Sequence, residues 1–369
     1  MAWLAFCVRQ WRALALVTCV VATLGSAEAA RAEQLFGFNE ASNHNELSPA
    51  ADDRLARLEA AAGGEIHRVV VSWKDVEQDL VNGTPVQDWR YYDRAIGSIR
   101  AAGMRPLIVI MNTPKWAQAA LECQGPICPP APSKLSQWAR FAYDVTRRYP
   151  EAVAIEVWNE PNGRGQWNTS AGPDPERYAQ LFSHAAGAIH YADATMPVLV
   201  GSVTYWPKDE PRHRMTIPTF AERFYRAGGA SQLRPGDGWG LHAYPWTNEL
   251  ETLDGQFATI MRQARQSLAR FDPGRRIWIT ETGVTTTGKW AVSERAQAKG
   301  ILTLKRKVPT MDDVRSLLIH STVEAPFNRH HLHEPGYGLI RRSDLSPKIA
   351  YCALAELAGA DRSFTGCPP

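Results

Sequence analysis

Short apolar runs, polar loops and amphipathic stretches follow one another along the chain in a fixed order. The runs cover residues 34–39, 67–73, 104–111, 153–158, 197–203, 238–244, 275–281 and 314–320. They are brief and rich in Val and Ile, as expected of parallel strands buried on both faces. A helical pattern follows each one. The first opens at Ser48-Pro49, carries Asp52-Asp53 in its first turn and ends at Gly63-Gly64. The others span about 88–102, 133–149, 174–193, 216–227, 252–271, 293–308 and 346–357. Gly103, Pro150 and Gly228 stand where a helix needs a left-handed residue or a stop.

Eight alternations of strand and helix predict a closed (β/α)8 TIM barrel rather than an open sheet. A doubly wound sheet would want a glycine-rich phosphate turn after its first strand, and here Asn39-Glu40-Ala41-Ser42 follows. No low-complexity linker divides the chain, so residues 31–369 read as one barrel domain. Catalysis in such a barrel sits where strands end and the following loops begin.

Two strand ends each deliver a carboxylate. The fourth run ends Ile155-Glu156-Val157-Trp158-Asn159-Glu160-Pro161-Asn162, and the seventh ends Ile277-Trp278-Ile279-Thr280-Glu281-Thr282-Gly283. Cleavage of a glycosidic bond needs one carboxyl to protonate the leaving oxygen and another to attack or to activate water. A lone Glu is usually a surface or ion-paired acid. Two at equivalent strand ends predict a catalytic pair, Glu160 and Glu281. Glu156 shares strand parity with Glu160, so either a bulge intervenes near Asn159 or an acid is buried inside the barrel. In the sixth run Gly240, His242 and Tyr244 share one face, directed at the barrel mouth.

The sequence resembles clan A glycoside hydrolases, in particular family 39-like enzymes and cellulase-like family 5 proteins. The resemblance rests on Asn159-Glu160-Pro161 and Glu281, and extends to Arg68, Thr113-Pro114-Lys115-Trp116, Gly338-Leu339 and Pro347-Lys348. It implies a retaining mechanism, with Glu160 as acid/base and Glu281 as nucleophile. It also implies that Asn159 binds the sugar 2-hydroxyl, and that Tyr244 and Arg68 keep Glu281 ionised. His242 is a further substrate-site candidate, with a packed core histidine as the plainer alternative. The family often carries a Trp at the end of strand eight; this chain has His320-Ser321-Thr322-Val323-Glu324 there.

Composition narrows the picture further. A formal net charge of +3 with no basic stripe gives nucleic-acid binding no electrostatic support. The 13 Trp provide candidate sugar platforms, because aromatic faces pack on the C–H faces of sugars. Trp73, Trp116, Trp167, Trp246 and Trp290 lie on or just after strand ends, and Trp116 and Trp246 are the preferred substrate-binding candidates.

At the N-terminus, Arg9 and Arg12 precede an apolar run from Ala13 to Leu24, followed by Ala27-Glu28-Ala29. Residues 1–30 therefore read as a cleaved signal peptide, with a retained membrane anchor as the alternative. Removing them leaves Cys123, Cys128, Cys352 and Cys367, which predict disulfides Cys123–Cys128 and Cys352–Cys367 in an exported protein.

The sequence thus predicts a secreted, monomeric retaining glycosidase that acts on a poly- or oligosaccharide without cofactor, metal or stable membrane insertion. Two rivals remain. One is a metal-dependent hydrolase using His330, His331, His333 and Glu334; the other is a non-catalytic glycan-binding barrel, which would be expected to have lost one carboxylate.

Overall fold

A computed structural model describes residues 34–39, 48–245, 249–329 and 331–368. Its barrel strands are β1 (Leu35–Asn39), β2 (Ile66–Ser72), β3 (Arg105–Met111), β4 (Ala154–Asn159), β5 (Val198–Val203), β6 (Gly238–His242), β7 (Arg276–Thr282) and β8 (Val314–His320). Each pairs in parallel with its neighbours in chain order, and β1 also pairs with β8, Asn39 opposite His320, so the barrel closes. Closure leaves the barrel without an exposed edge, and its eight strands are largely buried; a short hairpin pairing Leu80–Val81 with Thr84–Pro85 lies outside it. The (β/α)8 barrel expected from the hydrophobic pattern is the observed architecture.

The helices between strands are α1 (Pro49–Ala61), α2 (Arg90–Ala101), α3 (Leu135–Arg148), α4 (Pro175–Ala192), α5 (Ile217–Arg226), α6 (Gln256–Phe271), α7 (Glu294–Lys307) and α8 (Ile349–Leu357). Side chains at their N-termini satisfy amides that the helix itself leaves without a partner. Ser48, Asp174, Thr216 and Ser293 accept from the backbone N–H groups of Ala51, Arg177, Thr219 and Ala296. Gly103 and Gly228, after α2 and α5, adopt φ of 84° and 79°, the left-handed geometry that their positions implied. Apolar faces of the helices, such as Phe141 and Val145 of α3, close over the sheet as one continuous core.

Both predicted disulfides are present, Cys123–Cys128 and Cys352–Cys367. The second ties α8 to the C-terminal segment across 15 residues. Chain-entropy reasoning gives a loop of that size roughly 3 kcal/mol of stabilisation. The Cys352→Ser/Cys367→Ser double variant should therefore unfold at lower urea concentration by about that free energy, with little change in m-value.

Residues 1–30, together with Trp246 and His330, lie outside the described residues. Among the described residues, no helix is long and apolar enough to cross a membrane.

Candidate active site

At the C-terminal mouth of the barrel, β4 and β7 bring Glu160 and Glu281 to the same cleft. The end of β4 is irregular. Trp158 has φ of 75° and Glu160 of 41°, a left-handed geometry costly for residues with a side chain and concentrated at functional sites. The turn at Trp158 sends its ring outward among Trp138 and Trp167, while Asn159 and Glu160 both reach the cleft. Asn162 holds this turn in place. Its Nδ2 donates to the carbonyls of Thr204 (2.8 Å) and Met215 (2.9 Å), and its Oδ1 accepts from Thr204 N.

Glu156 is the acid inside the barrel that strand parity allowed. It is fully buried and pairs with Arg68 of β2 at 2.7 Å, and Ser202 N donates to it at 2.9 Å. Gly240 leaves room for this arrangement, because a Cβ there would lie 2.5 Å from Ser202 Oγ and 2.9 Å from Glu156 Oε1. Glycine on β6 is therefore required by its neighbours across the barrel.

Arg68 organises the floor of the cleft. Its Nε donates to Glu156, its Nη1 to Asn39 Oδ1 (2.8 Å) and Glu281 Oε1 (2.7 Å), and its Nη2 to Asn159 Oδ1 (2.7 Å). A buried guanidinium is tolerated only when its charge and N–H groups are met in this way. Tyr244 donates its hydroxyl to Glu281 Oε2 at 2.9 Å. Burial opposes the charge on Glu281, but the fields of His242 and Arg68 and the Tyr244 hydrogen bond outweigh it. The Glu281 carboxyl is held below its ordinary range.

His242 stands between the two acids. Its Nδ1 lies 2.8 Å from Glu160 Oε1 and 3.4 Å from Glu281 Oε2, and among the described residues its buried Nε2 meets no hydrogen-bond partner. One oxygen of each carboxylate and a ring nitrogen of His242 all fall within 4.8 Å of one another. Paired carboxyl groups about 5–5.5 Å apart suit double displacement, whereas inversion needs roughly 6.5–9.5 Å to admit water.

The fold is similar to that of family 39 glycoside hydrolases. A monomeric β-xylosidase from Caulobacter crescentus CB15 superposes with a TM-score of 0.63 at 18% identity, over 88% of this chain and 68% of that one. A family 39 glycoside hydrolase from Bacteroides cellulosilyticus WH2 gives 0.60 at 19%, over 88% and 64%. An endo-β-1,4-glucanase from Xanthomonas axonopodis pv. citri, crystallised as a triple mutant, gives 0.56 at 13%, over 88% and 99%. This chain spans about two thirds of the first two structures. Identities this low show a common fold. No family model and no curated protein sequence matches the chain.

The cleft occupies about 1630 Å³, larger than the roughly 300–1,000 Å³ that accommodates one small ligand. Its aromatic walls differ in part from the sequence-based expectation. Trp116 is not among the residues lining the cleft. It donates its indole N–H to the Glu77 carbonyl at 2.9 Å, packs edge-on against Trp73 and lies beneath Lys134. Trp73 and Trp167 are fully buried in the packing around the barrel. These three rings follow strands β2, β3 and β4, in connecting segments where Trp73 packs on Trp138 and Phe141 and Trp167 on Tyr178 of the helices. Trp290 does line the cleft, and it is 52% exposed.

Trp206, directly after β5, also lines the cleft, with the Arg214 guanidinium 5.1 Å from its ring. The Tyr205-Trp206-Pro207 run after the fifth strand was the available sequence signal for it. His331 and His333 line the cleft wall as well, but among the described residues they do not converge with a third ligand atom; the one such group is Glu160, His242 and Glu281.

Proposed function

We propose that this chain is an extracytoplasmic retaining glycoside hydrolase that cleaves O-glycosidic bonds of a poly- or oligosaccharide. The observation that carries this reading is the pair of strand-end carboxylates, close together but unequally held. Glu281 is fixed by a guanidinium and a phenol, so it stays ionised and serves as nucleophile. Among the described residues the Glu160 carboxylate is hydrogen-bonded to His242, and it serves as the proton donor. Because His242 Nδ1 can either donate to or accept from Glu160, it can hold that acid in both protonation states.

The sugar binds with its anomeric carbon facing Glu281 and its leaving oxygen facing Glu160. Asn159 points Oδ1 at Arg68, so its Nδ2 is the end that reaches the sugar 2-hydroxyl. Glu281 attacks, Glu160 protonates the departing oxygen, and a glycosyl-enzyme forms on Glu281. Water, deprotonated by Glu160, then releases the sugar with its original configuration. Neither step calls for a metal or organic cofactor. The two disulfides support an oxidising compartment outside the cytoplasm, and the chain acts as a monomer.

Tyr244→Phe tests the assigned nucleophile by pH. Loss of the phenol donor raises the Glu281 carboxyl, so protonation disables it at a higher pH. The acidic limb of kcat/KM should lie below the ordinary Glu range in the wild type and move up toward it in the variant. An unmoved limb would remove Glu281 from that limb.

The reading as a whole is tested by a polysaccharide and aryl-glycoside panel with product sizing, run with and without chelator. Hydrolysis indifferent to chelator supports it. Loss of hydrolysis restored by Zn²⁺ would favour the metal-dependent alternative, and binding without turnover would favour a glycan-binding barrel.

A further inference from the structure

The segment after β5 is built onto the turn that carries Glu160. Glu160 N donates to Ser202 O at 2.8 Å, Met215 N to Asn162 O at 2.9 Å and Arg164 N to His213 O at 2.8 Å. Together with the bonds from Asn162 Nδ2 to the carbonyls of Thr204 and Met215, these stitch residues 160–164 to residues 202–215. Gly163 sits between the two. A Cβ there would lie 3.4 Å from Trp206 Cζ2 and 3.8 Å from the carbonyl oxygen of Glu160.

Trp206 is anchored on this frame. The Arg214 guanidinium lies over its ring, 5.1 Å from the centroid. Arg214 is itself fixed by Glu210, through an ion pair and through reciprocal backbone hydrogen bonds of 2.9 and 3.0 Å. A Cβ on Gly172 would fall 2.5 Å from Arg212 Cα, so the segment also packs backbone to backbone on residues that follow β4. The indole is thus held, half-buried, and lines the cleft together with Arg214. A ring ordered before its ligand arrives loses little side-chain entropy on binding.

We infer, on the glycosidase reading of this cleft, that Trp206 is the platform for the sugar on the leaving-group side of the cleaved bond. Glu160 gives its proton to the leaving oxygen, so the departing sugar lies on the Glu160 side of that bond. Trp206 follows β5, the neighbour of β4 and Glu160, whereas Glu281 is carried by β7 with β6 in between. The indole offers an apolar surface to the C–H groups of the departing sugar, and the Arg214 guanidinium offers N–H donors to its hydroxyls. A leaving group that is a sugar is therefore recognised through this ring, and one that carries no ring leaves the platform empty.

The test measures kcat/KM on β-1,4-linked gluco-, xylo- and mannotetraose, and on the β-fluorides of the corresponding mono- and disaccharides, in the wild type, Trp206→Ala and Trp206→Phe. Fluoride departs from the same carbon but puts no ring on the platform. The ratio of tetraose to fluoride should fall by about tenfold or more in Trp206→Ala. Trp206→Phe, which keeps a ring, should bring it back to within about threefold of the wild type. A folding defect would slow both substrates together and leave the ratio unchanged. Cleavage of the fluorides without the tetraoses, an unchanged ratio in Trp206→Ala, or no recovery in Trp206→Phe overturns the inference while the glycosidase reading stands. A wild type that cleaves neither tetraoses nor fluorides overturns the glycosidase reading itself, and the inference with it.

Discussion

Replacement of Glu281 by alanine should abolish turnover of every substrate, lowering kcat on the order of 10⁴-fold or more, because no glycosyl-enzyme can form. The barrel should remain folded. Glu281 is only one of several partners of Arg68, and Glu156 keeps that guanidinium paired in the variant. The space vacated by the carboxylate lies at the mouth of the barrel, within reach of solutes. Azide should therefore partly restore cleavage of substrates with good leaving groups, giving a glycosyl azide of inverted configuration. Steady-state rates with and without azide, together with the configuration of the azide product, measure both effects. Full activity in Glu281→Ala would remove it from the mechanism.

Glu160→Ala should behave differently on different substrates. Natural glycans depart as poor leaving groups and need the proton, so their cleavage should slow by about 10²–10⁴-fold. Aryl glycosides with acidic phenols depart without it, and their first step should be nearly spared. Water must then attack without a base. The intermediate should accumulate on Glu281, visible as a burst of phenol followed by slow turnover, and as a mass increase of one glycosyl unit on intact protein. Equal loss on both substrate types, with no burst, would assign Glu160 a structural role.

The barrel was legible in the sequence because its strands are buried on both faces and must be apolar along their length, while loops and helix caps punctuate them locally. That Glu160 and Glu281 meet in one cleft was legible for the same reason, since a charged residue at the end of an apolar strand stands out. What surrounds them was legible only in part. Arg68 and Tyr244 could be placed by strand parity and by resemblance, and both reach Glu281. The link from Arg68 to His320 runs through Asn39, whose step to His320 spans 281 positions and depends on barrel closure between β1 and β8.

Tryptophans misled where strand ends turn back toward the helices. Trp73 and Trp116 follow strands, yet they pack against each other rather than against a sugar. Glu334 entered the sequence reading only in the rival metal cluster, whereas the structure holds it beside the cleft through His320 and His333. The left-handed turn at Trp158 likewise has no signature in residue type, because a tryptophan is among the least expected residues at positive φ.

The stereochemistry of hydrolysis tests the central claim most directly. Proton NMR during the first minutes of cleavage of a glycan that the enzyme accepts, before mutarotation, identifies the anomer released first. Double displacement through Glu281 predicts a product with the anomeric configuration of the bond that was cut. An inverted first product would contradict the account, leaving Glu281 as a base acting on water rather than the residue that carries the sugar.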